Sequence, residues 1–144
     1  MANDLIPYKR PGEDVTGYAT ASVTGKRCVQ ISAAKPATEK AEGLNATGGG
    51  GVYRVALPSG AGANGGAAKM VFGVAKYDAA INKLVGVARG GIVPITASAA
   101  ITAGQSLQAA ADGTVIPATT GIVVGYACDD CANGADCEVA LTIS

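Results

Sequence analysis

Short runs of alternating apolar and polar residues recur along the chain and predict β-strands. The run 137–143 alternates most regularly, and its Val139, Leu141 and Ile143 are predicted to face inward. A period of two is that of a strand with one buried face. Turn residues separate the runs at intervals of about 8 to 12 residues, which favours a barrel or sandwich. The runs predicted as strands are 27–32, 52–57, 70–75, 84–88, 92–96, 106–111, 114–118, 121–127 and 137–143.

The alanine-rich stretch 101–121 admits both a helix and a hairpin. A helix would carry Gly104 and Gly113 at about 1 kcal/mol each and Pro117 at about 3 kcal/mol. The pair Asp112-Gly113 is instead typical of a type I′ turn. We therefore predict two strands joined at this pair, and the fold class is all-β: a small barrel or sandwich of about nine or ten short antiparallel strands.

Single turn and strand residues add detail to this prediction. Asn82 can adopt the left-handed conformation of a tight turn between two strands. Pro94 has no amide hydrogen to donate, so its strand is predicted to lie at a sheet edge or at a bulge.

The chain is predicted to divide into an extended N-terminal arm, residues 1–25, and a β-barrel domain, residues 26–144. The arm shows no sustained period, and Pro7 and Pro11 favour extended backbone. Such a segment is either a frayed terminus or an arm that becomes ordered on a partner. Glycine-rich loops are predicted at 43–51 and 58–68.

Composition and charge exclude several functions. Lys and Arg balance Asp and Glu at 11 each, so no basic surface for nucleic acid or an anionic membrane is expected. The absence of His removes the common catalytic triads and most zinc sites. The N-terminus does not read as a signal peptide, and the uncharged span 90–111 is too polar for a membrane helix. We predict a soluble protein that is made in a cytoplasm and is not an enzyme.

The four cysteines leave several interpretations open. Cys128, Cys131 and Cys137 form a C-x2-C-x5-C pattern, and Cys28 lies far upstream. They could pack as small apolar residues, form a Cys128–Cys137 disulfide, bind zinc with Cys28 as a fourth ligand, or act in redox chemistry. Packing is the preferred interpretation, with no metal and no cofactor.

The span from Met70 to the end contains β-turn and strand motifs in a characteristic order. They lie at 73–75 with Asp78, at Val87 and 90–92, at 99–101 with 103–104, at 112–113, at Gly125 and Ala127, and at 134–135 with 138–139. In order and spacing they resemble the capsid decoration (cement) proteins of tailed bacteriophages, the family known as DUF2190. The opening "IPYKRPGEDVTGYATASVTGKRCVQIS" is also similar to the N-terminal segment of actinobacterial phage members.

This resemblance implies a small β-barrel virion protein on the outer surface of the mature capsid, commonly a homotrimer. Its implied partner is the major capsid protein, whose neighbouring subunits it stabilises, and no catalytic residues carry over from the family. The main alternative is a surface carbohydrate-binding β module.

An N-terminal arm could wrap a capsid subunit or add a strand to its sheet. We therefore predict that the arm makes the capsid contact. The predicted contact residues are Leu5, Ile6, Pro7, Tyr8, Lys9, Arg10, Pro11, Val15, Thr16 and Tyr18.

Overall fold

The computed structural model describes residues 14–36, 52–58 and 70–143. These residues form ten strands and no helix, so none of them belongs to a helix that could cross a membrane. The all-β prediction is confirmed, and each of the nine predicted runs contains a strand. The strands are β1 (Val15–Ala19), β2 (Cys28–Ala33), β3 (Tyr53–Ala56), β4 (Val71–Ala75), β5 (Leu84–Ala88), β6 (Ile92–Thr96), β7 (Ser106–Ala109), β8 (Val115–Pro117), β9 (Val123–Ala127) and β10 (Asp136–Leu141).

The first five strands form a closed barrel in the order β1-β3-β2-β4-β5. The pairing of β1 with β5 closes it, and β1 runs antiparallel to β5 but parallel to β3. This parallel pair is an exception to the predicted antiparallel arrangement.

Strand β1 lies within the predicted arm and corrects its boundary at residue 25. Val15 and Ala19 are buried in the barrel, and Gly17 between them faces the same way. A Cβ atom on Gly17 would lie 2.7 Å from Cγ2 of Val55, so only glycine fits there. Because two of the three inward residues are Gly and Ala, the strand shows little hydrophobic alternation. The barrel thus begins near residue 15, and residues 1–13 lie outside the described part.

The other five strands form a sheet in the order β6-β10-β9-β7-β8. Strand β6 is at its edge, as Pro94 predicts, and it pairs with β10. A single parallel bridge from Ala97, just after β6, to Val115 in β8 brings the two ends of this sheet together. The ten described strands therefore form two five-stranded units, a closed barrel and a second sheet.

The two units have the same topology, with β1 to β5 corresponding in order to β6 to β10. The parallel pair Ala19–Val55 of the first unit corresponds to Ala97–Val115 of the second. The β2–β4 and β7–β9 pairs even shift register at the same point, after Val29 and Leu107 respectively. The chain therefore contains a structural repeat.

The repeat extends to individual hydrogen bonds. In the first unit the amide of Gly25 donates to Oδ1 of Asp78 at 2.8 Å, and in the second the amide of Ala103 donates to Oδ1 of Asp130 at 2.8 Å. Equivalent residues are 78 positions apart in the first two strands of the units and 52 apart in the last two, so that Gly25 corresponds to Ala103 and Asp78 to Asp130.

Left-handed residues also recur at equivalent turns. Asn82 has a φ of 65°, as predicted, and its equivalent Gly134 has a φ of 86°. Lys26 and its equivalent Gly104 have φ values of 59° and 84°. Asparagine and glycine adopt the left-handed conformation at little cost in free energy. For a residue with a long side chain, such as Lys26, this conformation costs more.

The stretch 101–121 contains the predicted hairpin, but its turn is of another type. The amide of Gly113 bonds the carbonyl of Ala110 at 3.0 Å, and the amide of Ala110 bonds the carbonyl of Thr114 at 2.7 Å. Gly113 has a positive φ and Asp112 does not, whereas type I′ requires both. The connection is a three-residue loop with a glycine bulge, because only one left-handed residue is available.

The buried residues of the described part form two apolar clusters. One fills the first barrel around Val29, Val55 and Val85. The other contains the interior of the second unit together with Cys28, Val71 and Val74, which come from the first. One outer face of the first barrel is thus buried against the second unit.

Polar contacts join the units at the same place. The ammonium of Lys26 lies 2.6 Å from Oδ2 of Asp136, and the amide of Thr96 donates to the carbonyl of Lys26 at 2.9 Å. The amide of Cys28 donates to the carbonyl of Gly113 at 2.7 Å. The second unit therefore binds the first unit at the turn that contains Lys26 and at Cys28, the first residue of β2.

Candidate functional site

The predicted arm residues divide into three groups in the structure. Leu5, Ile6, Pro7, Tyr8, Lys9, Arg10 and Pro11 lie outside the described residues. Val15 is buried in the barrel core, which corrects its assignment as a capsid contact. Thr16 and Tyr18 face outward from β1, the first exposed and the second half-buried. Of the ten predicted residues, only these two are seen at the described surface.

Thr16 and Tyr18 belong to an outward surface that continues onto β5. Tyr18 lies opposite Leu84, whose side chain is 56% exposed. The Tyr18 hydroxyl donates to Oδ1 of Asn82 at 3.1 Å, and the Arg54 guanidinium lies 4.3 Å from the centre of its ring. The ring is therefore held in place beside an exposed leucine. We call this surface, Thr16, Tyr18 and Leu84, the β1–β5 face.

A second exposed surface lies on the second unit. Ser106 of β7 is opposite Tyr126 of β9, and Val123 is on the same strand as Tyr126. All three are exposed, with Tyr126 at 48% and Val123 at 45%. Two large apolar side chains on one strand are unusual at a solvated surface. We call this surface, Ser106, Val123 and Tyr126, the β7–β9 face.

The sequence analysis did not single out the β7–β9 face or Leu84. Their run patterns predict strands but do not tell which face of each strand is covered. The sequence does show the repeat that relates the two units, since "ATASVTGK" at 19–26 corresponds to "ASAAITAG" at 97–104, but this similarity does not tell which faces are exposed.

An open groove of about 480 Å³ lies between the ends of the two units. Among the described residues that line it, the one charged side chain is that of Arg89. Its Nε donates to the carbonyl of Phe72 at 2.9 Å, and its guanidinium lies 4.5 Å from the Phe72 ring centre. That cation is already engaged, so the groove offers an apolar surface. The lining residues are Ile31, Met70, Val71, Phe72, Arg89, Val123, Thr142 and Ile143.

The cysteines lie in different environments and all four are free thiols. Cys131 and Cys137 are buried in the second core cluster, to which Cys28 also belongs. Cys128 is exposed whereas Cys137 is fully buried, so the structure does not contain the considered Cys128–Cys137 disulfide.

The environments of the thiols disfavour metal or redox chemistry. Burial raises the pKa of Cys28 to about 12. The pKa of Cys137 also rises to about 12, through burial and then through the neighbouring Cys131. Thiols with such pKa values stay protonated at neutral pH, whereas nucleophilic attack needs the thiolate. Over 14–36, 52–58 and 70–143, no group of three or more Cys, Asp or Glu is placed to hold a metal ion.

The repeat supports the packing interpretation of the buried pair. Cys131 is equivalent to Ala79 and Cys137 to Val85, by the same offset of 52 that relates Asp78 to Asp130. Both equivalents are buried in the first core cluster. A position that accepts Ala or Val in one unit and Cys in the other is one where volume and apolarity matter.

A profile of the phage cement protein family matches residues 9–143, so the chain belongs to that family of phage structural proteins. The resemblance found in the sequence is thereby confirmed. No curated protein matches the chain.

The fold is similar to that of the N base of head fiber gp8.5 of bacteriophage phi29. The TM-score is 0.60 at 20% sequence identity, and the alignment covers 90% of this chain and 93% of that one. At this identity the likeness establishes a shared fold.

Proposed function

We propose that the protein decorates the phage head: it binds the outer surface of the mature capsid and stabilises contacts between major capsid subunits. The observation that carries this proposal is the family match over residues 9–143, which spans both structural units. In this account the protein is not an enzyme, needs no cofactor, and is made in the host cytoplasm before it joins the virion.

The chemistry of the chain supports a role in surface contact. Only 15% of its residues are charged, and its 29 Ala and 21 Gly have a short side chain or none. Surfaces with few charges and short side chains can pack closely with little loss of charge solvation, as at the centre of protein interfaces. Exposed Tyr126 is an aromatic anchor of the kind that dominates interface energetics, and exposed Leu84 and Val123 add apolar contact area.

Residues 5–11 are proposed as the capsid contact. Leu5, Ile6 and Tyr8 supply apolar groups and Lys9 and Arg10 supply positive charge, within a segment whose prolines favour extended backbone. An extended segment of this composition can lie along a capsid subunit or join an exposed sheet edge.

Deletion of residues 2–13 tests the proposed arm. The deletion stops before Asp14, which forms an ion pair with Lys76, and before the barrel strand β1. We expect the shortened protein to fold with an unchanged unfolding midpoint and to lose binding to expanded heads in co-sedimentation. Leu5→Ser with Ile6→Ser and Tyr8→Ser in the full chain should weaken binding in the same direction. Binding at the wild-type level by both proteins would refute the arm assignment.

We further propose that the protein works as a homotrimer, as the family resemblance implies. A symmetric oligomer presents several capsid contacts at once, and its overall affinity then exceeds that of a single copy.

A further inference from the structure

The two units differ in the burial of one pair of equivalent faces. In the first unit, Cys28, Val71 and Val74 are buried against the second unit. Their equivalents, by the offsets of 78 and 52, are Ser106, Val123 and Tyr126. These residues form the β7–β9 face, which is exposed. The second unit therefore carries a copy of the docking face of the first, and none of the residues in 14–36, 52–58 and 70–143 covers it.

The receiving side of the intrachain contact has a counterpart as well. The surface of the second unit that receives the docking face of the first includes Pro94, Thr96 and Asp136. These residues lie beside Lys26 and Val74 of the first unit. The same offsets give Thr16, Tyr18 and Leu84 as their equivalents in the first unit. These residues form the β1–β5 face.

From this correspondence we infer that a second copy of the chain docks head to tail, with its β1–β5 face on the β7–β9 face of the first copy. The contact would repeat between chains the arrangement that joins the two units within one chain. This inference rests on the homo-oligomer proposed above, for which it names the contact residues, and it is independent of capsid binding.

The charges of the two faces are compatible with this contact. Within the chain, Lys26 pairs with Asp136 across the unit boundary. We call the proposed contact between the β1–β5 face of one copy and the β7–β9 face of the next the seam. The equivalents of Lys26 and Asp136 at the seam are Gly104 and Leu84. Both members of the ion pair are thus replaced by uncharged residues, so that no unpaired charge would be buried at this position of the contact.

The volumes are also compatible. The intrachain contact leaves a cavity of about 250 Å³ lined by Val74, Val93 and Pro94 among others. At the seam, Tyr126 takes the place of Val74, and Thr16 takes the place of Pro94. The larger tyrosine would occupy the space that valine leaves open, and buried tyrosines are frequent anchors of interfaces.

A head-to-tail contact uses two different faces, so that successive copies are related by a rotation and close into a ring when that rotation allows it. This property separates the inference from a two-fold contact, in which one face meets itself. It also means that damage to either face alone abolishes assembly, whereas two differently damaged chains can still meet through their intact faces.

The test uses the full-length variants Tyr126→Asp and Leu84→Asp, with Ile81→Asp as the matched control. Ile81 is exposed to nearly the same degree as Leu84 but lies outside both faces as defined. Molar mass is measured by light scattering up to about 100 µM, where even weak specific contacts are populated. We expect wild type and Ile81→Asp to be oligomers and each face variant to be a monomer of 14.0 kDa.

An equimolar mixture of the two face variants should double in mass to a one-to-one dimer. A monomeric wild type, a face variant that keeps the wild-type mass, an Ile81→Asp monomer, or a mixture that stays monomeric would overturn the inference. Circular dichroism confirms that each variant is folded. Co-sedimentation of wild type with heads is read separately: an oligomer that fails to bind heads would contradict the proposed function and leave the seam intact.

Discussion

The α-carbon of Gly73 lies against the carbonyl oxygen of Ala88, so that a Cβ atom on Gly73 would stand 2.6 Å from it. The equivalent Gly125 meets the carbonyl oxygen of Ala140 in the same way. Because both units place their fourth and fifth strands this close together, both need a residue without a side chain at this position.

Gly73→Ala and Gly125→Ala are therefore each expected to destabilise the protein by about 1 to 3 kcal/mol, the usual cost of overpacking. The free energy of unfolding in urea measures the effect. Gly86→Ala is the control, because its new methyl group would meet mainly the flexible ends of Lys76 and Tyr77. A loss for Gly86→Ala as large as for the other two would contradict the explanation.

Gln108 is fully buried and holds the segment that follows β8. Its Oε1 accepts hydrogen bonds from the amides of Thr119 at 3.1 Å and Gly121 at 2.9 Å. Gln108→Met keeps the volume but leaves both amides without this acceptor, so we expect a loss of about 2 to 4 kcal/mol in the free energy of unfolding. Gln105→Met removes one such bond, to Thr102, at an exposed site and should cost under about 0.5 kcal/mol. Similar losses for both variants would refute the role of burial.

The strands were predictable because alternation and turn residues are local properties. The run 137–143 alternates since one side of β10 faces the second core, and Asn82 adopts the left-handed turn that its side chain favours. Strand β1 was missed because its inward residues are Val15, Gly17 and Ala19, whose small volumes fit the closely packed barrel but give a weak hydrophobic signal.

The contact faces were less predictable because exposure depends on which surfaces the two units cover. Val74 and Tyr126 occupy equivalent positions, yet the first is buried and the second is exposed. Nothing local to either strand distinguishes them. The division into two units follows from long-range pairings such as Ala97 with Val115, which alternation within single runs cannot show.

The ion pair between Lys26 and Asp136 predicts a small pH dependence. The hydrogen bond from the Lys26 ammonium, together with its charge, lowers the pKa of Asp136 below its usual value. A lowered pKa in the folded state contributes stability above the unfolded-state pKa, and this contribution is lost as pH falls through the folded-state pKa. Both side chains are about half exposed, so solvent screening limits the contribution.

We accordingly expect Asp136→Asn to lower the free energy of unfolding by less than about 1 kcal/mol at pH 7. The difference from wild type should shrink at acidic pH, where Asp136 of the wild type is protonated, and in high salt. Urea titrations at neutral and acidic pH measure it. A difference that grows on acidification would contradict the assigned sign.

Thiol reactivity should distinguish Cys128 from the three buried cysteines. Cys128 is exposed, whereas Cys28 and Cys137 are buried with pKa values of about 12. A thiol reagent at pH 8 is expected to modify one cysteine rapidly in the native protein and all four after denaturation. Metal analysis of the same sample should find well under one equivalent of zinc. Rapid modification of three or four thiols in the native state, or stoichiometric zinc, would contradict the packing role.

The most direct test of the decoration role is co-sedimentation of the purified protein with undecorated heads of its phage. Expanded heads and unexpanded procapsids are compared over the same protein concentrations. We expect saturable binding to expanded heads alone, since the proposed site belongs to the mature outer surface. Absence of binding to both would contradict the decoration role and direct attention to the carbohydrate-binding alternative, which a glycan screen would then examine.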